Sequence, residues 1–243
     1  MSDFNRYQTA NELINKAAVE CGLVAVADPF TSTDPSFLQL TQLLNSCGQE
    51  MITAYDWQQL RREEVEVITY GSTGIIALPD DYDRMLDQTS WNRTDLMAAG
   101  GPLNPQEWQQ IQGSNITLQP QKVTFRLDQD SIKITPTPPA VGTNPYATLA
   151  YEYISRAWVL SGVTYRDYVS AVGDTVLYDP LMMIKFLKMR FLGAKGFDTS
   201  DIAAQMDMAF KAATSKNTPG QVLSLSRSRL SGDAQFAYPR TLG

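Results

Sequence analysis

The apolar residues of this chain change period twice, and that change limits most tightly what it can fold into. From Leu13 to Tyr55 they recur every three or four residues. From Val65 to Tyr153 they alternate, and from Leu181 to Ala213 the helical spacing returns. A period near 3.6 turns one face of a helix toward a core, and a period of two turns one face of a strand toward it. Helices are therefore expected from both ends of the chain and strands from its middle.

Each helical stretch carries its own boundary signals. Thr9 and Glu12 have capping-box spacing, Leu13, Ile14, Ala17, Ala18 and Cys21 line one face, and Gly22 can end the helix in the left-handed conformation. A second helix starts with Asp34 as N-cap and Pro35 at its first position, and its stripe of Phe37, Leu40, Leu44, Cys47, Met51 and Tyr55 runs to about Trp57. Asp179 and Pro180 repeat that start. The segment Leu181 to Leu192 that follows is apolar almost all round, so it should be largely buried before Gly193 and Gly196 end it. The last helix takes Asp198 as N-cap, with Phe197 and Ile202 spaced for a hydrophobic staple and Ile202, Met206, Ala209, Phe210 and Ala213 as its stripe. After about Asn217 periodicity disappears into a Ser-rich tail carrying Arg227, Arg229 and Arg240.

In the middle, Val65 and Val67 alternate with Glu64 and Glu66, and Ile75 to Leu78 forms a second strand ended by Pro79. Val123, Phe125 and Leu127 alternate, Asp128 to Ser131 turns the chain, and Ile132 and Ile134 continue on a partner strand that Pro136 ends. Leu149, Tyr151 and Tyr153 alternate again, Pro105 to Ile111 reads as a short helix, and Pro136 to Pro145 as a loop. The fold expected is mainly α. It is an antiparallel helical bundle of residues 1-62 and 178-217, with a β-rich antiparallel insertion at 63-177 and an extended C-terminal arm at 218-243.

Composition narrows function. The chain has no histidine, which removes Ser-His and Cys-His nucleophilic pairs and nearly all zinc sites. Its net charge is -6, opposite to the basic surface that gripping phosphate requires. Cys21 and Cys47 lie on helical stripes and read as reduced core thiols. Met1 to Thr9 is polar with no apolar signal region, and no apolar run reaches membrane-spanning length, so folding in a cytoplasm is expected.

Four groups of residues have the composition of a site. Asp80, Asp81 and Asp83 could hold a divalent cation, although Asp after Pro79 also suits a turn and a helix start. Glu63, Glu64 and Glu66 could supply a glycosidase acid pair, although charges on a strand edge also block aggregation. Gly193-Ala-Lys-Gly196 has a fragment of a phosphate cradle without the rest of the pattern, and helix termination explains it better. Lys185, Lys188 and Lys195 share a helix face that could meet DNA, solvent or a neighbouring subunit. Trp57, Trp91, Trp108 and Trp158 read as core or interface anchors, without the interleaved basic residues of a stacking platform. No catalytic residue, cofactor or metal is expected.

Five segments resemble head-to-tail adaptor proteins of tailed phages, in order and in spacing, across roughly Arg6 to Leu225. They are Ala10 to Leu23, Leu78-Pro-Asp-Asp-Tyr-Asp-Arg84, Gly101-Pro-Leu-Asn-Pro-Gln-Glu-Trp108, Tyr151-Glu-Tyr-Ile-Ser155 and Tyr178 to Asp198. The resemblance, which takes in adaptors of short-tailed phages, implies a structural virion protein and not an enzyme. Its subunits would form a ring, of twelve by analogy, that joins the portal to the tail and surrounds the DNA exit channel. Its partners would be the portal, the other subunits and a downstream tail or nozzle protein. DNA would pass through without sequence-specific binding and no membrane would be involved. The location implied is the neck of the virion, assembled in the host cytoplasm. C-terminal arms of the family reach onto the portal, which makes Leu223, Leu225, Arg227, Arg229, Leu230, Phe236 and Tyr238 candidate docking residues. The alternatives are another tail component, such as a nozzle or tail tube, and a virion-associated peptidoglycan hydrolase.

Overall fold

The computed structural model describes residues 6–114 and 123–217. A short strand β1 (Gln8–Thr9) leads into α1 (Ala10–Glu20), and α2 (Pro35–Ala54) follows. The middle of the chain holds β2 (Arg61–Ile68), β3 (Ile75–Ala77), β4 (Tyr82–Met85), β5 (Trp91–Asn92) and β6 (Met97–Ala98), then α3 (Pro105–Ser114), β7 (Thr124–Asp128), β8 (Ser131–Thr135) and β9 (Ala147–Ser155). Strands β10 (Val159–Ser161), β11 (Thr164–Arg166) and β12 (Thr175–Val176) precede α4 (Pro180–Ala194) and α5 (Ser200–Asn217).

The expectation of a mainly α bundle fails here. Of the described residues 37% are helical and 24% are in strands, the strands lying in three antiparallel sheets, so the fold is mixed and β-rich. Seven of the twelve described strands are only two or three residues long. A period of two cannot register over such lengths, because partners distant in sequence, not local pattern, hold them extended. The sheets run β1-β12-β10-β11, β2-β9-β5-β6 with β4 also on β9, and β3-β8-β7.

The helix starts form as their sequence signals require. The Glu12 amide donates to Thr9 Oγ1 at 3.3 Å and the Thr9 amide to Glu12 Oε2 at 3.2 Å. Asp34 and Asp179 accept the amides of Ser36 and Leu181 at 2.8 and 3.1 Å. Helix α2 stops at Ala54, short of Trp57, because Tyr55 turns extended and the Trp57 indole N–H folds back onto the Met51 carbonyl at 2.7 Å. Asp198 accepts the Ser200 amide at 3.0 Å, but Phe197 remains 64% exposed, so the expected staple buries little. The segment Asp80 to Asp83, read as a possible helix start, turns the chain into β4, with the Tyr82 amide on the Pro79 carbonyl at 2.9 Å.

Two clusters of buried side chains hold the fold. One joins α1, α2, α4 and α5 with Trp57, Trp158, Val159, Val176 and Tyr178. The other lies between the sheets of β9 and β8 and contains Phe125, Ile132, Leu149, Tyr151 and Tyr153. Strand β9 belongs to both, since Tyr151 and Tyr153 enter the second cluster while Ile154 enters the first. The Arg84 guanidinium ties β4 to the end of α2. It donates to the Ile52 carbonyl at 3.0 Å and to Asp56 at 2.7 Å, where the last carbonyls of a helix lack partners. Trp158 stacks on Tyr178 with ring centroids 5.9 Å apart, its indole N–H donates to the Asp167 carbonyl at 2.8 Å, and its ring fills the space beside Gly48 of α2.

Pairing with β9 decides which way β2 faces. Ile68, Glu66, Glu64 and Arg62 lie opposite Ala147, Leu149, Tyr151 and Tyr153, so they share the inner face. Val65 and Val67 are turned outward, with Val67 60% exposed, while Glu64 and Glu66 are half-buried. Burying three large residues of β9 and Ile68 outweighs burying two valines, and the two-residue repeat allows no compromise.

Candidate functional site

The aspartates after Pro79 take three separate roles. Asp81 accepts hydrogen bonds from the Tyr153 hydroxyl at 2.9 Å and from Ser155 Oγ at 2.5 Å, and Arg62 lies 3.1 Å away. Asp83 pairs with Arg84 at 2.6 Å. Asp80 contributes its carbonyl, which accepts from Arg156 at 2.7 Å. Among the described residues no group of three or more His, Cys, Asp or Glu side chains could hold a metal ion. Asp81 therefore fixes the end of β9 in place.

Glu63 and Glu64 project to opposite faces of β2 and cannot act as an acid pair. Glu63 pairs with Arg93 of the segment after β5. Glu64 and Glu66 do share the inner face. Burial, reinforced by Glu64, pushes the Glu66 carboxyl above its ordinary value. Burial, reinforced by Glu64 and Glu66, pushes the Tyr151 phenol far up, and its hydroxyl is buried without a hydrogen-bond partner. None of the described ion pairs includes Glu64 or Glu66. The result is an acidic strip suited to receive cations.

The basic residues of α4 are mostly used inside the chain. Lys185 and Lys188 both donate to Glu20 of α1, at 2.9 and 3.2 Å, and Arg190 pairs with Glu50 of α2. Burial alone would raise the Glu20 carboxyl, but the two lysines outweigh it and hold it below its ordinary value. Lys195 caps α4 and sits 5.3 Å over the Phe191 ring, so Gly193 to Gly196 ends a helix and cradles nothing. Of the tryptophans, Trp57 and Trp158 are core, Trp108 lies beneath the Arg126 guanidinium at 4.7 Å, and Trp91 stands on an open face.

Large apolar side chains are exposed at several places, and two of these lie on the sheets. The outer face of the β2-β9-β5-β6 sheet presents Val65, Val67 and Trp91, and Trp91 lines a cleft of about 400 Å³ together with Leu96, Glu63 and Arg93. The turn and strand of the β10–β11 hairpin present Val163 and Tyr165, with Arg62 stacked 4.1 Å over the Tyr165 ring. A third surface has unpaired backbone. Strand β2 has β9 as its one partner among the described strands, leaving its other edge free for eight residues. A groove of about 330 Å³ runs along that edge between Glu66, Val67 and Ile68 of β2 and Ile75 and Ile76 of β3. The sequence missed this edge because nothing local to Arg61–Ile68 says how many partners the strand has.

The candidate docking residues Leu223, Leu225, Arg227, Arg229, Leu230, Phe236 and Tyr238 lie outside the described residues. No helix among the described residues is long and apolar enough to cross a membrane. A family model described as SU10 adaptor protein matches residues 8–229 in one stretch, from β1 through the whole of α5 and beyond. A search of curated proteins found no match.

Proposed function

Since the chain belongs to the SU10 adaptor protein family and is a phage adaptor, we propose that it acts as one subunit of a ring that joins the portal to the tail at the neck of the virion. The observation that carries this reading is the unbroken family match across nearly the whole chain. The ring has twelve subunits and surrounds the channel through which DNA leaves. Its other partners are the portal above and the next tail component below.

Physical features support the reading. A ring needs two different, complementary flanks on each subunit. Exposed apolar groups of the β2-β9-β5-β6 sheet and of the β10–β11 hairpin offer two such surfaces of different composition. A net charge of -6 keeps DNA moving past the protein instead of adhering to it. The candidate cation site is taken up by structural roles, with Asp81 held by Tyr153 and Ser155 and Asp83 by Arg84, and Glu63 is paired with Arg93, which supports a non-enzymatic part. The C-terminal arm, with Leu223, Leu225, Arg227, Arg229, Leu230, Phe236 and Tyr238, secures the subunit to its surroundings at assembly.

Symmetry-resolved imaging of purified particles tests the proposal. The expected result is this chain in a twelvefold ring on the channel axis, directly beneath the portal. Its absence from that axis, or its presence there without rotational order, refutes it.

A further inference from the structure

We propose that the segment Leu223–Arg229 of one copy of this chain adds as an antiparallel strand to the free edge of β2 in a neighbouring copy. The inference rests on the ring reading for the existence of a neighbour, but its chemistry is independent of ring size.

Three observations converge on it. Among the described strands one edge of β2 is open over eight residues, and the longest pairing they make lies on its other side. An unpaired edge presents alternate N–H and C=O groups and is a template for another strand. Glu64 and Glu66 stand half-buried side by side on one face of that edge with no cation among the described ion pairs, so a cation placed there would relieve their repulsion. A groove along Glu66 to Ile68 has an apolar wall from Ile75 and Ile76.

The segment has matching chemistry. Although the tail as a whole lacks periodicity, Leu223-Ser-Leu-Ser-Arg-Ser-Arg229 alternates without a break. Extended, it places Leu223, Leu225, Arg227 and Arg229 on one face and three serines on the other. The family match runs past α5 and ends at Arg229, the last residue of that alternation. Residues 218–243 carry three arginines against one aspartate, +2, which leaves -8 of the total -6 on the rest of the chain. The arm and the body are thus of opposite sign.

One register satisfies every position. With Leu225 opposite Ile68, Arg227 falls opposite Glu66 and Arg229 opposite Glu64, while Ser226 and Ser228 fall opposite the outward Val67 and Val65. Directly opposed side chains on one face are close enough to pair, and opposite charges there are favourable. A slip of one residue sets serine against each glutamate and arginine against each valine. The parallel alternative that keeps both charge pairs sets Leu225 against Arg62, which is already engaged by Asp81 and Tyr165.

Geometry selects a neighbouring copy over the same chain. The Asn217 carbonyl accepts from Gln58 Nε2 at 2.5 Å, so the chain leaves α5 beside the start of β2. From Arg61 to Ile68 the strand spans about 24 Å. The eight steps from Asn217 to Leu225 reach at most about 29 Å when fully extended. Nothing is left to reverse direction for an antiparallel run, whereas an adjacent subunit can approach from the other end.

The test uses the full-length chain carrying Val67→Cys and Ser226→Cys together. Directly opposed strand residues lie about 4.5–5.5 Å apart at Cα, within disulfide reach. Mild oxidation of a concentrated solution should give a ladder of disulfide-linked multimers on a non-reducing gel, with the 67–226 linkage identified by peptide mass spectrometry. Replacing the acceptor with Glu66→Cys, on the opposite face from Ser226, should cut the linkage at least tenfold. Arg227→Glu with Arg229→Glu, which leaves the described body untouched, should abolish it, and Glu64→Lys with Glu66→Lys should then restore it. No 67–226 linkage, a linkage found only within one chain, or one indifferent to charge reversal overturns the proposal. Any of these outcomes leaves the imaging test of the ring to stand or fall separately.

Discussion

Gly48 lies inside α2, where alanine normally stabilises. Gly48→Ala should gain about 0.8–1.0 kcal/mol of helix propensity. Here a Cβ would lie 2.2 Å from Trp158 Cζ2, where ordinary contact begins at about 3.4 Å. The indole cannot withdraw cheaply. Its ring is fully buried and stacked on Tyr178, its N–H is bonded to the Asp167 carbonyl, and Tyr178 itself donates to the Gly48 carbonyl at 3.1 Å. Overpacking of this kind costs about 1–3 kcal/mol, and a broken buried hydrogen bond about 1–3 more. After subtracting the propensity gain, the net loss should be about 3 kcal/mol, or about 6–12 °C in the melting midpoint for a chain of this size. Urea unfolding followed by indole fluorescence gives the free energy, and calorimetry gives the midpoint. A second chain with Gly48→Ala and Trp158→Leu should lose less than the sum of the two single changes, because the collision is gone. A rise in midpoint for Gly48→Ala alone would mean that α2 does not pack against the turn after β9.

Three further outcomes follow from the same contacts. Phe191 is buried on α4, so Phe191→Ala should cost about 3–5 kcal/mol in urea unfolding, and a loss well under 1 kcal/mol would remove α4 from the centre of the core. Burial, aided by Glu50, pushes the Cys47 thiol up to about 12, whereas Cys21 is only partly buried. At pH 8 an alkylating reagent should therefore label Cys21 first and Cys47 only on unfolding, and equal rates in mass spectrometry would contradict this packing. Glu20 is held below its ordinary value in the folded state, so its contribution exists above the usual carboxylate range and is lost as pH falls through it to the folded value. Glu20→Gln should cost about 0.5–1 kcal/mol at pH 7 and nothing once the carboxyl is protonated, and a difference that persists in acid would show that Lys185 and Lys188 are not its source.

The parts legible in the sequence are those fixed by neighbours in the chain. Capping by Thr9, Asp34 and Asp179 involves residues two or three apart, and the stripes of α1, α2, α4 and α5 repeat within a turn, so both can be read locally. The balance between helix and strand could not be read that way. Strands such as β1, β5 and β12 are two residues long and exist because Gln8 meets Val176 and Trp91 meets Ala150. The role of Asp81 depends on Tyr153 and Ser155, more than seventy residues later. The outward turn of Val65 and Val67 was equally hidden, since it is imposed by what β9 must bury. Of the candidate chemistry, the spacing of Glu63, Glu64 and Glu66 was informative only once the strand direction was known. It then separated one paired glutamate from two that enter none of the described ion pairs.

A donor segment and an acceptor edge on the same chain make a head-to-tail contact, which must either close into a ring or continue as a filament. The proposed contact is small and mostly polar. Two exposed ion pairs contribute at most about 1 kcal/mol each, and a seven-residue segment must surrender about 1–2 kcal/mol of backbone freedom per residue to become a strand. Alone, such a contact should not hold two free subunits together at low concentration. A template that already fixes subunits side by side changes the balance, since the second contact becomes intramolecular and its effective concentration rises toward the millimolar range. Weak pairing in solution and firm pairing on the portal are then two consequences of one interaction. The charge pairs carry the salt dependence: raising ionic strength should loosen the arm from the edge before it unfolds the body, whose Tyr151, Trp57 and Phe37 are buried beyond the reach of screening. An arm that held equally well in high salt would have to be held by Leu223 and Leu225 in the groove, and not by Arg227 and Arg229 on the glutamates.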